Sequence, residues 1–138
     1  MRKVISSALL FATIICFSSC SSDVSSDNSI TKDVLVGTWV GVSTYIDGTW
    51  IDITTYPNST YYGFEITFFS DGTYYEQGVF GTGMGRYTLY GNTIKTYVED
   101  ELYLIYKVRS WTETSAELTI SSYDYDWSME VKIVKRAY

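Results

Sequence analysis

From Val34 to Tyr138 apolar and polar residues alternate in short runs rich in Val, Ile, Thr, Tyr and Phe. No apolar stripe with a helical period persists beyond two turns of helix, so strands are the better reading of the body. Asp-Gly, Gly-Asn and Pro-Asn pairs separate the runs, as turn chemistry demands. The pattern predicts nine strands, at 36–46, 49–55, 62–69, 73–80, 85–90, 93–98, 101–109, 115–122 and 127–136. Even spacing of strands and turns predicts an all-β fold, an antiparallel up-and-down β-barrel of about eight strands. Closing an odd number would pair the first and last strands in parallel, so one of the nine lies outside the barrel or adds an edge. No segment is long enough for the crossover helix of a parallel sheet.

Turn lengths then fix which residues face each other. A two-residue turn at Asp47-Gly48 sets Val42 opposite Ile53 and Thr44 opposite Ile51. Gly91-Asn92 sets Leu89 against Ile94 and Tyr87 against Thr96. At Asp71-Gly72 a two-residue turn, the favoured register, puts Tyr75, Gln77 and Val79 on the face of Phe64, Ile66 and Phe68. A three-residue turn with a bulge would bring Tyr74, Glu76 and Phe80 there instead. Later strands give Leu102, Leu104, Tyr106 and Val108 one face, then Ala116, Leu118 and Ile120, then Met129, Val131 and Ile133. Lys107, Arg109, Glu117, Glu130 and Lys132 take the opposite, wet side.

The first twenty residues follow another rule. Arg2 and Lys3 precede an apolar run from Val4 to Phe17, and the small residues Ser18 and Ser19 precede Cys20. These are the charged, apolar and small-residue regions of a secretory signal, too short to span a bilayer permanently. Cys directly after the small pair resembles the lipobox of bacterial lipoproteins, with Phe17 where that motif usually has Leu. The resemblance implies cleavage before Cys20 and acylation of that residue. The expected organisation is a lipoprotein signal peptide at 1–19, a lipidated Cys with a flexible Ser- and Asp-rich tether at 20–33, and the barrel at 34–138. Cys16 then leaves with the signal, and the mature chain has neither free thiol nor disulfide. The implied location is a bacterial cell envelope, with the protein lipid-anchored in the outer membrane at its periplasmic or surface face.

A second resemblance lies in the body. Val36-Gly37-Thr38-Trp39 looks like the Gly-x-Trp signature of lipocalins. With Ile66-Thr67-Phe68-Phe69-Ser70-Asp71-Gly72-Thr73-Tyr74 and Gly85-Arg86-Tyr87-Thr88-Leu89 it resembles the lipocalin-like domains of Bacteroidota lipoproteins. That implies an eight-stranded barrel with a central calyx, and a basic residue of the last strand packed over Trp39: Arg136 first, Lys135 second. The chain ends straight after its last strand, with no room for the helix that lipocalins pack outside the barrel. Strand one is in conflict, since alternation points Val36, Val40 and Val42 inward while the resemblance points Trp39 inward. If Trp39 prevails, small Gly41 and Ser43 share its face and leave space inside, and a bulge after Trp39 would reconcile the patterns. Trp39, Phe64, Phe68, Tyr87, Leu104 and Tyr106 are the expected ligand-binding lining; as packed core they would fill the barrel instead.

Composition removes most chemistry. There is no His among 138 residues, which excludes His-based triads and imidazole-ligated zinc, and two Cys are too few for a zinc site. Ten basic residues against 16 acidic give a net charge of −6, which argues against nucleic acid as a partner. Removing Arg2 and Lys3 with the signal makes the body more acidic still. Glu65 and Glu76 form a glycosidase pair only if both reach one cleft; exposed strand faces carry Glu routinely. Glu99-Asp100-Glu101 reads as a solvated turn rather than a calcium site, Gly81-Thr82-Gly83-Met84-Gly85 as a flexible connection without the helix of a phosphate loop, and Asn58-Ser59-Thr60 as a glycosylation pattern without meaning in bacteria. The expected function is non-enzymatic and cofactor-free: binding of a small hydrophobic or amphipathic molecule inside the barrel. The alternative is an interaction module that meets a protein or glycan through rim aromatics Tyr123, Tyr125 and Trp127.

Overall fold

The computed structural model describes residues 28–137. It contains two short helices, α1 (Lys32–Leu35) and α2 (Asn58–Tyr62), and nine strands. The strands are β1 (Gly37–Ile46), β2 (Thr49–Asp52), β3 (Phe64–Phe68), β4 (Thr73–Gly78), β5 (Gly83–Tyr90), β6 (Thr93–Val98), β7 (Glu101–Trp111), β8 (Ser115–Ser122) and β9 (Ser128–Lys135). Neighbours pair in the order β2-β1-β3-β4-β5-β6-β7-β8-β9, and β1 also pairs with β9. All pairings are antiparallel, so β1 and β3 to β9 close an eight-stranded barrel. The ninth strand is β2. It takes Ser43–Ile46 of β1, beyond the Gly37–Val40 segment that β3 occupies, and so extends one rim.

The predicted Asp47-Gly48 and Gly91-Asn92 registers form: Thr44 faces Ile51, Leu89 faces Ile94 and Tyr87 faces Thr96. The second strand stops at Asp52 rather than residue 55. There the Asp52 carboxylate accepts from Thr54 N–H and Oγ at 2.7 and 2.6 Å, a local turn that competes with the ladder. The strand expected from residue 62 begins at Phe64, because α2 takes the residues before it.

Three one-residue insertions overturn parts of the expected alternation. At Asp71-Gly72 the loop has three residues, closed by the bond from Phe69 N–H to Thr73 O at 2.9 Å, with Gly72 at φ 91°. Phe68 therefore faces Tyr74, and Ile66 faces Glu76: the favoured register was the wrong one of the two. In β1 the pairing with β9 slips between Gly41 and Ser43, so Trp39, Gly41 and then Thr44 are buried, and Ser43 is not on the inner face. The bulge falls two residues later than expected. In β7 the register runs from Lys95–Ile105 to Tyr97–Leu102, leaving Tyr103 and Leu104 both opposite Thr96. The Thr96 hydroxyl accepts from Leu104 N–H at 3.1 Å and donates to Leu104 O at 3.2 Å, filling the gap in the ladder. Alternation thus holds from Leu104 to Val108, and Leu102 falls on the outer face with Tyr97.

Trp39 prevails over its valines. It is fully buried, its indole N–H donates to Leu35 O at 2.8 Å, and Lys135 Nζ stands 5.1 Å from its ring. Lys135 also donates to Val34 O. The second candidate, not Arg136, covers the tryptophan; Arg136 points outward and pairs with Glu65. Residues 28–33, expected in the tether, belong to the barrel's end. Ile30 is buried with its N–H on Asn92 Oδ1 at 2.7 Å, Trp111 donates to Asn28 O at 3.0 Å, and Thr31 caps α1 above the buried Leu35. Cys20, the signal peptide and the rest of the tether lie outside the described residues.

Candidate functional site

All six residues expected to line a calyx are buried and grouped in the core. Phe68 meets Tyr87 and Tyr106 edge-on at 5.0 and 6.3 Å. The space left among Trp39, Phe64, Phe68, Tyr106 and their neighbours is about 10 Å³, room for one water and not for a ligand. Gly41 was expected to open the interior. Instead the Phe64 ring fills its side, and a Cβ on Gly41 would lie 2.5 Å from that ring. The small residue is there to admit a large one.

A larger space lies at the other end of the strands. A half-open cavity of about 260 Å³ lies at the barrel mouth, between Tyr74 and Glu76 of β4, the 80–84 segment, and Val98 and Tyr103 of the β6–β7 hairpin. Each wall follows from a local feature. The three-residue loop at Gly72 turns Tyr74 and Glu76 inward, and the β7 bulge brings Tyr103, 37% exposed, to the edge of the mouth. Across from Glu76 stands Gly83, whose missing side chain leaves the space open, and across from Tyr74 stands Gly85. Gly85 is obligatory, since a Cβ there would lie 2.1 Å from Tyr97 O, whereas one at Gly83 meets nothing within 4 Å. The segment read as a flexible connection is therefore a wall of the cavity.

Phe80 forms the brow of the mouth. It tilts against Phe64 at 5.1 Å and stacks on Trp127 at 5.7 Å with rings 2° from parallel. The Tyr103 hydroxyl donates to Phe80 O at 2.5 Å and ties the brow to the opposite wall. Of the three rim aromatics, Trp127 is thus engaged in packing, while Tyr123 and Tyr125 are 64% and 73% exposed.

Glu76 is the chemical centre. Only 4% of it is exposed, and its Oε1 has no hydrogen-bond partner. Burial pushes its carboxyl up to about 7, against the pull of a hydrogen bond with Tyr74. Burial and the adjacent Glu76 charge push the Tyr74 phenol up to about 12. Tyr106 is buried with its hydroxyl also unpartnered, and its pKa is held well above the usual tyrosine range by burial first and then by Glu76. The result is a carboxyl that gains or loses its proton near neutrality, flanked by phenols that stay protonated, beneath an apolar brow.

Glu65 does not join it. The two guanidinium nitrogens of Arg136 hold its carboxylate on the outer wall at 2.7 and 3.1 Å, so Glu65 and Glu76 share no cleft and cannot act as a glycosidase pair. Asp100, in the acidic turn, pairs with Arg86 at 2.9 Å. No protein-family model matches the chain, and no curated protein matches it.

Proposed function

We propose that the protein is a lipid-anchored, lipocalin-like binding protein of a bacterial cell envelope, and that it holds a small amphipathic molecule at the barrel mouth. One observation carries the reading: a mouth cavity with mostly apolar walls is lined by a buried glutamate, one of whose carboxyl oxygens has no partner. Small-molecule sites have this form, mostly apolar with a few polar groups that fix orientation. At about 260 Å³ the cavity suits a compact ligand, since such sites start near ~300 Å³. The anchor rests on the lipobox resemblance at Cys20. Asn28 and Ile30 are held at the end of the barrel opposite the mouth, so a tether from Cys20 would leave the mouth facing away from the membrane.

The test is native mass spectrometry of the protein purified gently from its own cells, beside Gly83→Leu. Gly83 faces Glu76 across the β4–β5 pair and lines the mouth, and a Cβ there meets nothing within 4 Å, so the new side chain grows into the open space. A bound mass that is present in the wild type and lost in Gly83→Leu, with unchanged circular dichroism, supports mouth binding. A mass retained by Gly83→Leu but lost in a Tyr123→Ser, Tyr125→Ser variant moves the function to the rim.

A further inference from the structure

The unpartnered oxygen of Glu76 specifies more than polarity. A buried carboxylate with no cation beside it is costly. Among the described residues no Lys or Arg pairs with Glu76. The groups that face it are Tyr74 on its own strand and Tyr103 and Tyr106 on β7, all phenols, while its cross-strand neighbours are Ile66 on β3 and Gly83 on β5. Phenol rings present electron-rich faces that attract cations and carry no positive charge of their own. The chain as a whole is acidic, with a net charge of −6, which concentrates cations and repels anions near a low-dielectric cleft.

We infer that the mouth takes a small organic amine, its ammonium group on Glu76 Oε1 and its apolar body against Phe80, Tyr74 and Tyr103. This rests on the mouth-binding reading above and names its ligand class. An ammonium supplies the donor that Oε1 lacks and the charge that makes an ionised carboxylate tolerable there. An alcohol supplies only the donor, and a carboxylic acid brings a second negative charge. The bound amine needs the deprotonated carboxyl, so its affinity falls as pH drops below the pKa of the empty site, about 7.

Calorimetric titration of the purified protein with three probes of one shape tests this: 2-phenylethylamine, 2-phenylethanol and phenylacetate. At pH 8 the amine binds at least about tenfold tighter than the alcohol, and phenylacetate binds weakest. Between pH 7 and 5 the amine loses about tenfold per pH unit while the alcohol changes little. Glu76→Gln brings the amine down to the alcohol's affinity and removes the pH dependence. Equal binding of amine and alcohol by the wild type overturns the amine assignment and leaves the mouth site standing; the orphan oxygen then serves a water or a neutral donor. An amine preference that survives Glu76→Gln overturns the role of that residue. Failure of all three probes at millimolar concentration overturns both the ligand class and the mouth site.

Discussion

The two ends of this barrel are built from the same strands to opposite rules. At the closed end Ile30, Leu35 and Trp39 are buried, the indole N–H has its carbonyl, Lys135 covers the ring, and about 10 Å³ is left over. At the mouth the Glu76 carboxyl lacks a partner on one oxygen, two glycines face the inward side chains of β4, and about 260 Å³ stands open. Density and hydrogen-bond satisfaction stabilise a fold, while empty space and unmet polar groups cost stability unless something else fills them. On the proposed reading, stability belongs to the end that holds Ile30, Leu35 and Trp39, and ligand binding to the mouth.

The sharpest way to break that division is Trp39→Ala. Deleting a fully buried indole, its bond to Leu35 O and its contact with Lys135 should cost about 3–5 kcal/mol in denaturant unfolding. If the ends are separate, the fraction still folded binds mouth ligands with wild-type affinity. A loss of affinity larger than the unfolded fraction explains would mean that the closed end shapes the mouth.

Glu76→Gln probes the other end, through pH. The carboxyl titrates near 4.5 in the unfolded chain and near 7 in the fold, so it costs nothing below about pH 4.5. Between those values the unfolded state loses its proton first, and stability falls as pH rises; above about 7 both states are ionised and the loss is complete. About two and a half pKa units correspond to about 3 kcal/mol. The variant should therefore match the wild type at pH 4 and exceed it by about that much at pH 8, measured by urea unfolding at both. Asp52 and Asp71, whose carboxyls are lowered by hydrogen bonds from Thr54 and Thr73, act alike in both proteins and cancel in the difference. A constant gap across pH would mean that Glu76 is solvated and the mouth is not the costly end.

The same contrast explains what could be read in the sequence. The closed architecture, the extra strand and the Gly91-Asn92 register follow from turn chemistry and period-two alternation, which are local. The site does not, because strand parity is lost at every inserted residue. One extra residue at Gly72 decides whether Glu76 faces the core or the solvent, and a charged side chain gives hydropathy no reason to choose the core. The β7 bulge at Tyr103 and Leu104 leaves no mark in composition. Thr96, whose hydroxyl satisfies the Leu104 backbone from across the ladder, becomes informative only once the pairing is known. At the entry end the Ser- and Asp-rich stretch read as a tether because Ile30 and Leu35 are few, yet two apolar side chains are enough to plug a barrel. In the other direction, Gly41 was read as space when it is the complement of Phe64.

Gly41→Ala tests the joint between the ends and should have the smallest effect on stability. The added methyl would lie 2.5 Å from the Phe64 ring, which is 6% exposed and cannot swing into solvent, so the strain must move something. Overpacking of this kind costs about 1–3 kcal/mol. Phe64 is tilted against Phe80, and Phe80 stacks on Trp127, so the displacement runs along three rings from the core to the rim. If that stack transmits it, the variant weakens mouth binding and shifts the fluorescence of Trp127, read with the other three tryptophans replaced by Phe and with the same background carrying Gly41 as reference. If the strain is absorbed in β1 and β9 at the Val42 bulge, stability falls but binding and fluorescence do not change. The second outcome would make the two ends independent down to their shared wall, while the first would make the filled core the surface on which the mouth is built.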